Sequence, residues 1–194
     1  MTALLTDLTD LPADVIRPGY DRDALGVGIL HLGLGAFHRA HQAVYTDDAL
    51  AAEGGHWRIL GANLRSTEMP QAMSAQNGLY SLLERSESDR LRIIGAHGQK
   101  AIGGDAAAIL KAASDPAIRI LSLTVSEKAY GIDRAAMDID EAHPAVAADL
   151  ARPQAPQGVL GIITAALAAR HAAGHAPFTV LCCDNLPDNG TLLR

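Results

Sequence analysis

The stretch Gly33-Leu34-Gly35-Ala36-Phe37-His38 places two glycines one residue apart directly after an apolar run. In a phosphate-binding turn the first glycine permits a tight bend. The second lets a pyrophosphate approach the backbone where a helix begins, so these residues read as the first two glycines of a dinucleotide fingerprint. The third glycine is absent, and His38 in its slot predicts a helix packed less closely on the sheet. On spacing alone the competing reading is a structural turn. A dinucleotide site also asks for an acidic residue roughly 20 positions further on, at the end of the next strand, for the ribose hydroxyls. Here that strand ends in Gly61-Ala62-Asn63-Leu64-Arg65-Ser66, and the first acid is Glu68. Asn63 and Glu68 are the candidates for the diol, whereas Arg65 with Ser66 are the candidates for a 2′-phosphate. These residues leave the choice between NAD and NADP open.

Two further loops follow apolar runs. In Thr124-Val125-Ser126-Glu127-Lys128, Ser126 and Glu127 are candidates for contact with a cofactor, because ligands of open α/β sheets sit beyond the carboxyl ends of the strands. Glu127 and Lys128 equally suit an exposed salt-bridging pair. In Cys183-Asp184-Asn185-Leu186-Pro187-Asp188-Asn189-Gly190, the Asn185 carboxamide can hydrogen-bond a substrate oxygen and stabilise charge developing on it. Pro-Asp-Asn-Gly is also strong turn chemistry, so Asn189-Gly190 reads as the turn and Asn185 as the working group. His38 and His41 are three apart on one helix but lack a third ligand, so no metal is expected. His31, at mid-strand, reads as a hydrogen-bonded core or cleft-lining residue.

The elements that must position these groups follow from hydrophobic runs and glycine punctuation. Val27–Leu34 (VGILHLGL) reads as a strand buried on both faces, Arg39–Glu53 as a helix closed by Gly54-Gly55, and Trp57–Leu64 as a second strand, together one βαβ unit. A short helix over Ser66–Gln76 leads to a hairpin of Leu79–Glu84 and Leu91–Ala96. Then come a helix over Asp105–Ala113, a buried strand over Ala117–Val125, a polar proline-bearing stretch over Asp133–Pro156, a helix over Gln157–Ala173 and a last buried strand over Phe178–Cys183. The fold class is α/β: a Rossmann-like, doubly wound, mainly parallel sheet with a β-hairpin insertion. Residues 1–25, broken by Leu11-Pro12 and Pro18-Gly19, read as an arm packing on a domain of residues 26–194.

Composition narrows the function classes. Sixteen basic against 22 acidic residues give a net charge of −6, and no stretch joins basic residues to aromatics, which sets nucleic acid aside as a partner. No apolar run approaches the roughly 20 residues that cross a bilayer, and the N-terminus carries acids where a signal peptide needs positive charge. Cys182 and Cys183, adjacent in a strand, point to opposite faces and read as buried thiols, which implies a reducing compartment. A cytoplasmic protein without a membrane partner is expected.

The run GILHLGLGAFHRAHQAVYTDDAL, from Gly28 to Leu50, resembles the opening of the mannitol dehydrogenase and fructuronate reductase (D-mannonate oxidoreductase) family of long-chain, zinc-independent polyol dehydrogenases. LPADVIRPGYDRDAL, NLRSTEM, QNGLYSLLER, TVSEKAYGID and CDNLPDNG are similar as well, so the resemblance covers nearly the whole chain. It implies an NAD(P)-binding Rossmann domain followed by a mostly helical substrate domain, with NAD as the usual cofactor. It also implies hydride transfer between NAD(H) and a sugar alcohol or hexonate, such as mannitol/fructose or mannonate/fructuronate. In such enzymes asparagines hold the substrate oxygen, and one of them would correspond to Asn185. The lysine general base belongs to the second domain, so it is expected beyond Arg194 and the catalytic half is expected to be missing from this chain. The alternative is a truncated, non-catalytic nucleotide-binding or interaction module. A nucleotide-sugar dehydrogenase is disfavoured by GAFHRAHQ.

Overall fold

The computed structural model describes residues 4–133, 135–136 and 138–193. The first half runs β1 (Val27–Leu32), α1 (Ala36–Ala40), α2 (Gln42–Glu53), β2 (Arg58–Asn63), α3 (Glu68–Ala75), β3 (Tyr80–Glu84), β4 (Arg90–Ile94) and β5 (Ile102–Gly103). The second runs α4 (Ala106–Ser114), β6 (Ile120–Leu123), a 3₁₀ turn (Glu127–Ala129), β7 (Ile132–Asp133), β8 (Asp138–Ile139), α5 (Pro144–Ala151), α6 (Val159–Ala172), β9 (Thr179–Cys182) and α7 (Asn189–Leu192). Five strands form one sheet in the order β5-β2-β1-β6-β9, and every pairing in it is parallel. This is the Rossmann order, with its reversal between β1 and β6.

The central strand explains the layers. Gly28 to Leu32 are all buried, and successive side chains enter opposite faces of the sheet. Ile29 joins Ile59, Leu50, Met73 and Ala43 beneath α2 and α3. Leu30 and Leu32 join Leu121, Leu123, Ile109 and Ile162 beneath α4 and α6. Helix α6 buries Val159, Ile162, Ile163, Ala166 and Arg170, one stripe at helical spacing. Arg170 has no carboxylate partner among the described residues; it donates to the carbonyls of Ala113, Asp115, Ile118 and Ala176, tying the end of α4 to the approaches of β6 and β9.

Several elements differ from the sequence reading. The expected helix over Arg39–Glu53 is two helices starting at Ala36 and breaking at His41, whose φ of −131° and ψ of −82° are not helical. His38 Nδ1 lies 3.0 Å from Gln42 Oε1, joining the two helices across that break. The polar stretch over Asp133–Pro156 contains the short β7–β8 ladder and helix α5, whose Asp149 carboxylate accepts from the Gln157 and Gly158 amides and so fixes the entry to α6. Strand β9 is the sheet edge rather than a buried strand: Thr179 and Leu181 are exposed, and both cysteines are only half-buried free thiols. The antiparallel pair β3–β4 forms as expected. Val15 packs on Leu79 and Ile93 with Leu5, Leu8 and Leu11 around them, and Arg22 donates to the carbonyls of Gly95, Asn77 and His97.

His38 fills the slot of the third glycine with a buried ring between α1 and β1. Its ring stacks on that of His31, with centroids 3.5 Å apart and planes 12° from parallel, and meets His97 edge-on. Burial holds His38 near pKa 4, with Arg39 adding repulsion. His31 and His97 are also held well below the ordinary range, by burial first and by neighbouring His38 second. The three rings are therefore neutral in the fold, whereas in an unfolded chain each takes a proton near pH ~6.5. The stability this depression supplies is fully present above that pH and is lost as pH falls toward the folded values, at up to about 1.4 kcal/mol per pH unit for each ring. Urea unfolding at pH 7.5 and 5.0 should show a clearly lower midpoint at pH 5.0; equal midpoints would mean that the rings accept protons inside the fold.

Candidate functional site

The loops after β1, β2 and β6 meet at the carboxyl edge of the sheet around a cleft of about 540 Å³, closed on one side by the start of α6. This is the strand-order reversal, where neighbouring connections leave toward opposite faces and open a crevice.

The two glycines of the first loop are glycine for different reasons. Gly33 has φ +109°, and a Cβ there would stand 2.1 Å from the Thr124 carbonyl oxygen, so turn geometry and close packing both exclude a side chain. Gly35 has φ −75° and ψ 178°, open to any residue. A Cβ on Gly35 would meet nothing nearer than the Gly33 carbonyl oxygen at 4.0 Å, so no internal contact explains its bareness. The exposed backbone of Gly35 lines the cleft. Asn63 braces this turn: its Oδ1 accepts from the Leu34 amide at 2.8 Å and its Nδ2 donates to Ser66 Oγ at 2.9 Å.

Charge in the cleft is one-sided. Among the described residues Arg39, Arg65 and Lys128 line it and no Asp or Glu does, although the chain carries a net charge of −6. Arg39 Nε is buried without a hydrogen-bond partner among the described residues. Ser126, also on the wall, holds φ +120°, a conformation that costs a non-glycine residue about 1–3 kcal/mol and that gathers at functional sites.

Of the residues expected from sequence, Gly33, Gly35, Asn63, Arg65 and Ser126 come together on this wall. Ala36 and Phe37 are exposed on α1 off the wall, Phe37 stacking on His41 at 4.8 Å between centroids. His38 is buried behind the turn. Glu68 opens α3 and Glu127 the 3₁₀ turn, both outside the lining. Asn185 is exposed beyond β9. Its neighbour Asp184 accepts from the Val125 amide at 3.0 Å and the Tyr130 hydroxyl at 2.6 Å, bringing the loop that carries Asn185 against the loop that carries Ser126. Burial and Asp184 push the Tyr130 hydroxyl far up, so it remains a donor.

Arg39 was not among the residues singled out. Its amide donates to the Gly35 carbonyl at 3.2 Å, so a basic residue one helical turn after the second glycine was the available signal. Lys128 was read only as a partner for Glu127. A larger groove of about 690 Å³ between α5 and α6 is lined mainly by aliphatic residues, with Tyr130, Gln154, Thr164 and Asp149, and by no basic side chain among the described residues, which does not suit a phosphate. Among the described residues no group of three His, Cys, Asp or Glu could hold a metal, and no helix is long and apolar enough to cross a membrane.

Known proteins match this arrangement closely. A family model described as the mannitol dehydrogenase Rossmann domain matches residues 27–194. Mannitol 2-dehydrogenase of Cereibacter sphaeroides is 50% identical over 185 residues, covering 93% of this chain and 39% of that protein. D-mannonate oxidoreductase of Escherichia coli (strain K12) is 38% identical over 197 residues, covering 98% of this chain and 40% of that protein. A solved structure of Pseudomonas fluorescens mannitol 2-dehydrogenase, a ternary complex with NAD and D-mannitol, matches with a TM-score of 0.90 at 38% identity, over 100% of this chain and 40% of that one. This chain spans about two-fifths of the length of these relatives. The chain belongs to the mannitol dehydrogenase family, with residues 27–194 forming its Rossmann domain.

Proposed function

We propose that the cleft binds a nicotinamide dinucleotide, NAD(H), and that the full-length protein interconverts a sugar alcohol or hexonate with its keto form. The observation that carries this reading is the pairing of a bare Gly35 with a wall of three cations and no carboxylate. A glycine without an internal reason leaves room for a ligand at the backbone. A lining whose charged side chains, among the described residues, are all cationic suits a diphosphate, whose charge they neutralise.

The residues fit such a cofactor. Arg39 and Lys128 supply positive charge to its phosphates, and the exposed, side-chain-free Gly35 lets them approach the turn closely. Arg65 and Ser66, both on the wall, favour a second reading in which NADP(H) also binds through its 2′-phosphate. When bound, the nicotinamide supplies or accepts a hydride. Asn185 donates a hydrogen bond to the substrate oxygen and stabilises its negative charge. The base that handles the alcohol proton lies in the length that the relatives possess and this chain does not span. In this organisation residues 1–25 are an arm on the nucleotide-binding domain 26–194. Two free thiols support a reducing, cytoplasmic setting.

Fluorescence titration tests the cleft. The wild-type chain should bind NADH saturably, Lys128→Glu should weaken binding at least about tenfold by reversing one phosphate contact, and Gly33→Ala should abolish it. Unchanged affinity in Lys128→Glu would remove the cationic wall from cofactor binding. In the full-length protein, Asn185→Ala should lower kcat by about 10²-fold while the Kd for NADH stays put; an unchanged kcat would remove Asn185 from the mechanism.

A further inference from the structure

Behind the cleft wall lies a buried polar group that nothing above puts to use: His31, His38 and His97, linked through Gln42 and Ser122. Their contacts form one continuous chain. His97 Nε2 lies 2.9 Å from His38 Nε2, and His38 Nδ1 lies 3.0 Å from Gln42 Oε1. Gln42 Nε2 lies 3.0 Å from Ser122 Oγ, and Ser122 Oγ lies 2.8 Å from His31 Nδ1. His31 Nε2 ends the chain 3.0 Å from the Gly33 carbonyl oxygen.

Only one placement of protons satisfies every contact with neutral rings. A carbonyl can only accept, and the Thr124 hydroxyl, 2.9 Å from His31 Nε2, commits its own proton to that carbonyl, so His31 carries its proton on Nε2 and donates to Gly33. Its bare Nδ1 then accepts the Ser122 hydroxyl. Ser122 Oγ, its own proton committed, accepts from the Gln42 amide nitrogen. That orients the Gln42 oxygen toward His38 Nδ1, which must carry a proton. His38 Nε2 is then bare and accepts from His97 Nε2–H. His97 Nδ1 remains an acceptor, and it is indeed a buried ring nitrogen without a partner among the described residues. The direction of donation thus runs from His97 to Gly33, and Gln42 is the link that presents an acceptor on one side and a donor on the other.

The far end of the chain is a peptide plane. The Gly33 carbonyl also accepts from the Thr124 hydroxyl at 2.8 Å, and the amide of the same peptide unit, Leu34 N–H, donates to Asn63. The geometry points to His31 as a positioning residue for the dinucleotide turn, clamping the Gly33–Leu34 peptide plane, with Gln42 setting the tautomer that makes the clamp. The inference rests on the cleft being the cofactor site. Gln42 lies outside the cleft lining and reaches the turn through Ser122 and His31, so a loss of affinity that comes with the His31 tautomer change is what marks this route.

Nitrogen-15 NMR of the histidine rings at pH 7 tests the network without any substitution. His31 and His97 should be Nε2–H tautomers and His38 an Nδ1–H tautomer; any other pattern, or a cationic ring, overturns the assignment. Gln42→Glu has the same shape but offers acceptors to both neighbours. It should move His31 to the Nδ1–H tautomer and raise the Kd for NADH about tenfold, the effect of one buried hydrogen bond. A tautomer change with unchanged affinity, or weakened affinity with His31 still Nε2–H, overturns the positioning role. Failure of the wild-type chain to bind NADH, with the tautomer pattern intact, would instead overturn the cofactor reading on which the role depends.

Discussion

The arrangement of this molecule turns on the approach of the Gly33 backbone to the carboxyl end of β6. The space available to a Cβ at Gly33 ends 2.1 Å from the Thr124 carbonyl oxygen. That approach is possible only for a glycine in the left-handed region, and it brings the loops after β1 and β6 to the same point on the sheet edge. Because the strand order reverses between β1 and β6, the crevice opens there. The Thr124 hydroxyl bonds the Gly33 carbonyl, and the Asn63 side chain reaches from β2 to the next amide, so three neighbouring strands grip one turn.

The residues around that turn divide into those that hold it and those that face a ligand. Asn63 is the instructive case, since both ends of its carboxamide are occupied by Leu34 and Ser66. Its place at the strand end makes it a brace, and it also lines the cleft. His38, in the slot of the third glycine, serves the helix–sheet contact by stacking on His31 instead of leaving room. The cations stand apart from this bracing, which leaves their charge available to a polyanion. The groove between α5 and α6 is larger but lacks charge of the right sign.

Much of this was legible in the sequence, for physical reasons. Strands buried on both faces, such as β1 and β6, are apolar apart from His31 and Ser122, and glycine ends the first of them, so the βαβ unit and the parallel sheet could be read directly. The hairpin was legible because polar residues separate two alternating runs. What escaped the reading depends on tertiary contacts. Helix α5 is short and lies in a polar stretch, and its Asp149 gains meaning only where it holds the amides that lead into α6. β9 reads as buried because its residues are apolar, yet it lies at the sheet edge and leaves Leu181 exposed. Arg39 looks like any helical surface arginine until the fold turns it into the wall of a cleft. Glu68 and Glu127 do not line the wall themselves, but each stands next to residues that do, Met69 in one case and Ser126 and Lys128 in the other.

The central claim is that a dinucleotide lies across the carboxyl ends of β1, β2 and β6. Mapping backbone amide shifts of the isotope-labelled chain during titration with NADH tests it most directly. The account predicts the largest changes at Leu34–Phe37, Asn63–Ser66 and Val125–Lys128, with the α5–α6 groove unaffected. Changes concentrated between α5 and α6, or no changes at millimolar NADH, would contradict it.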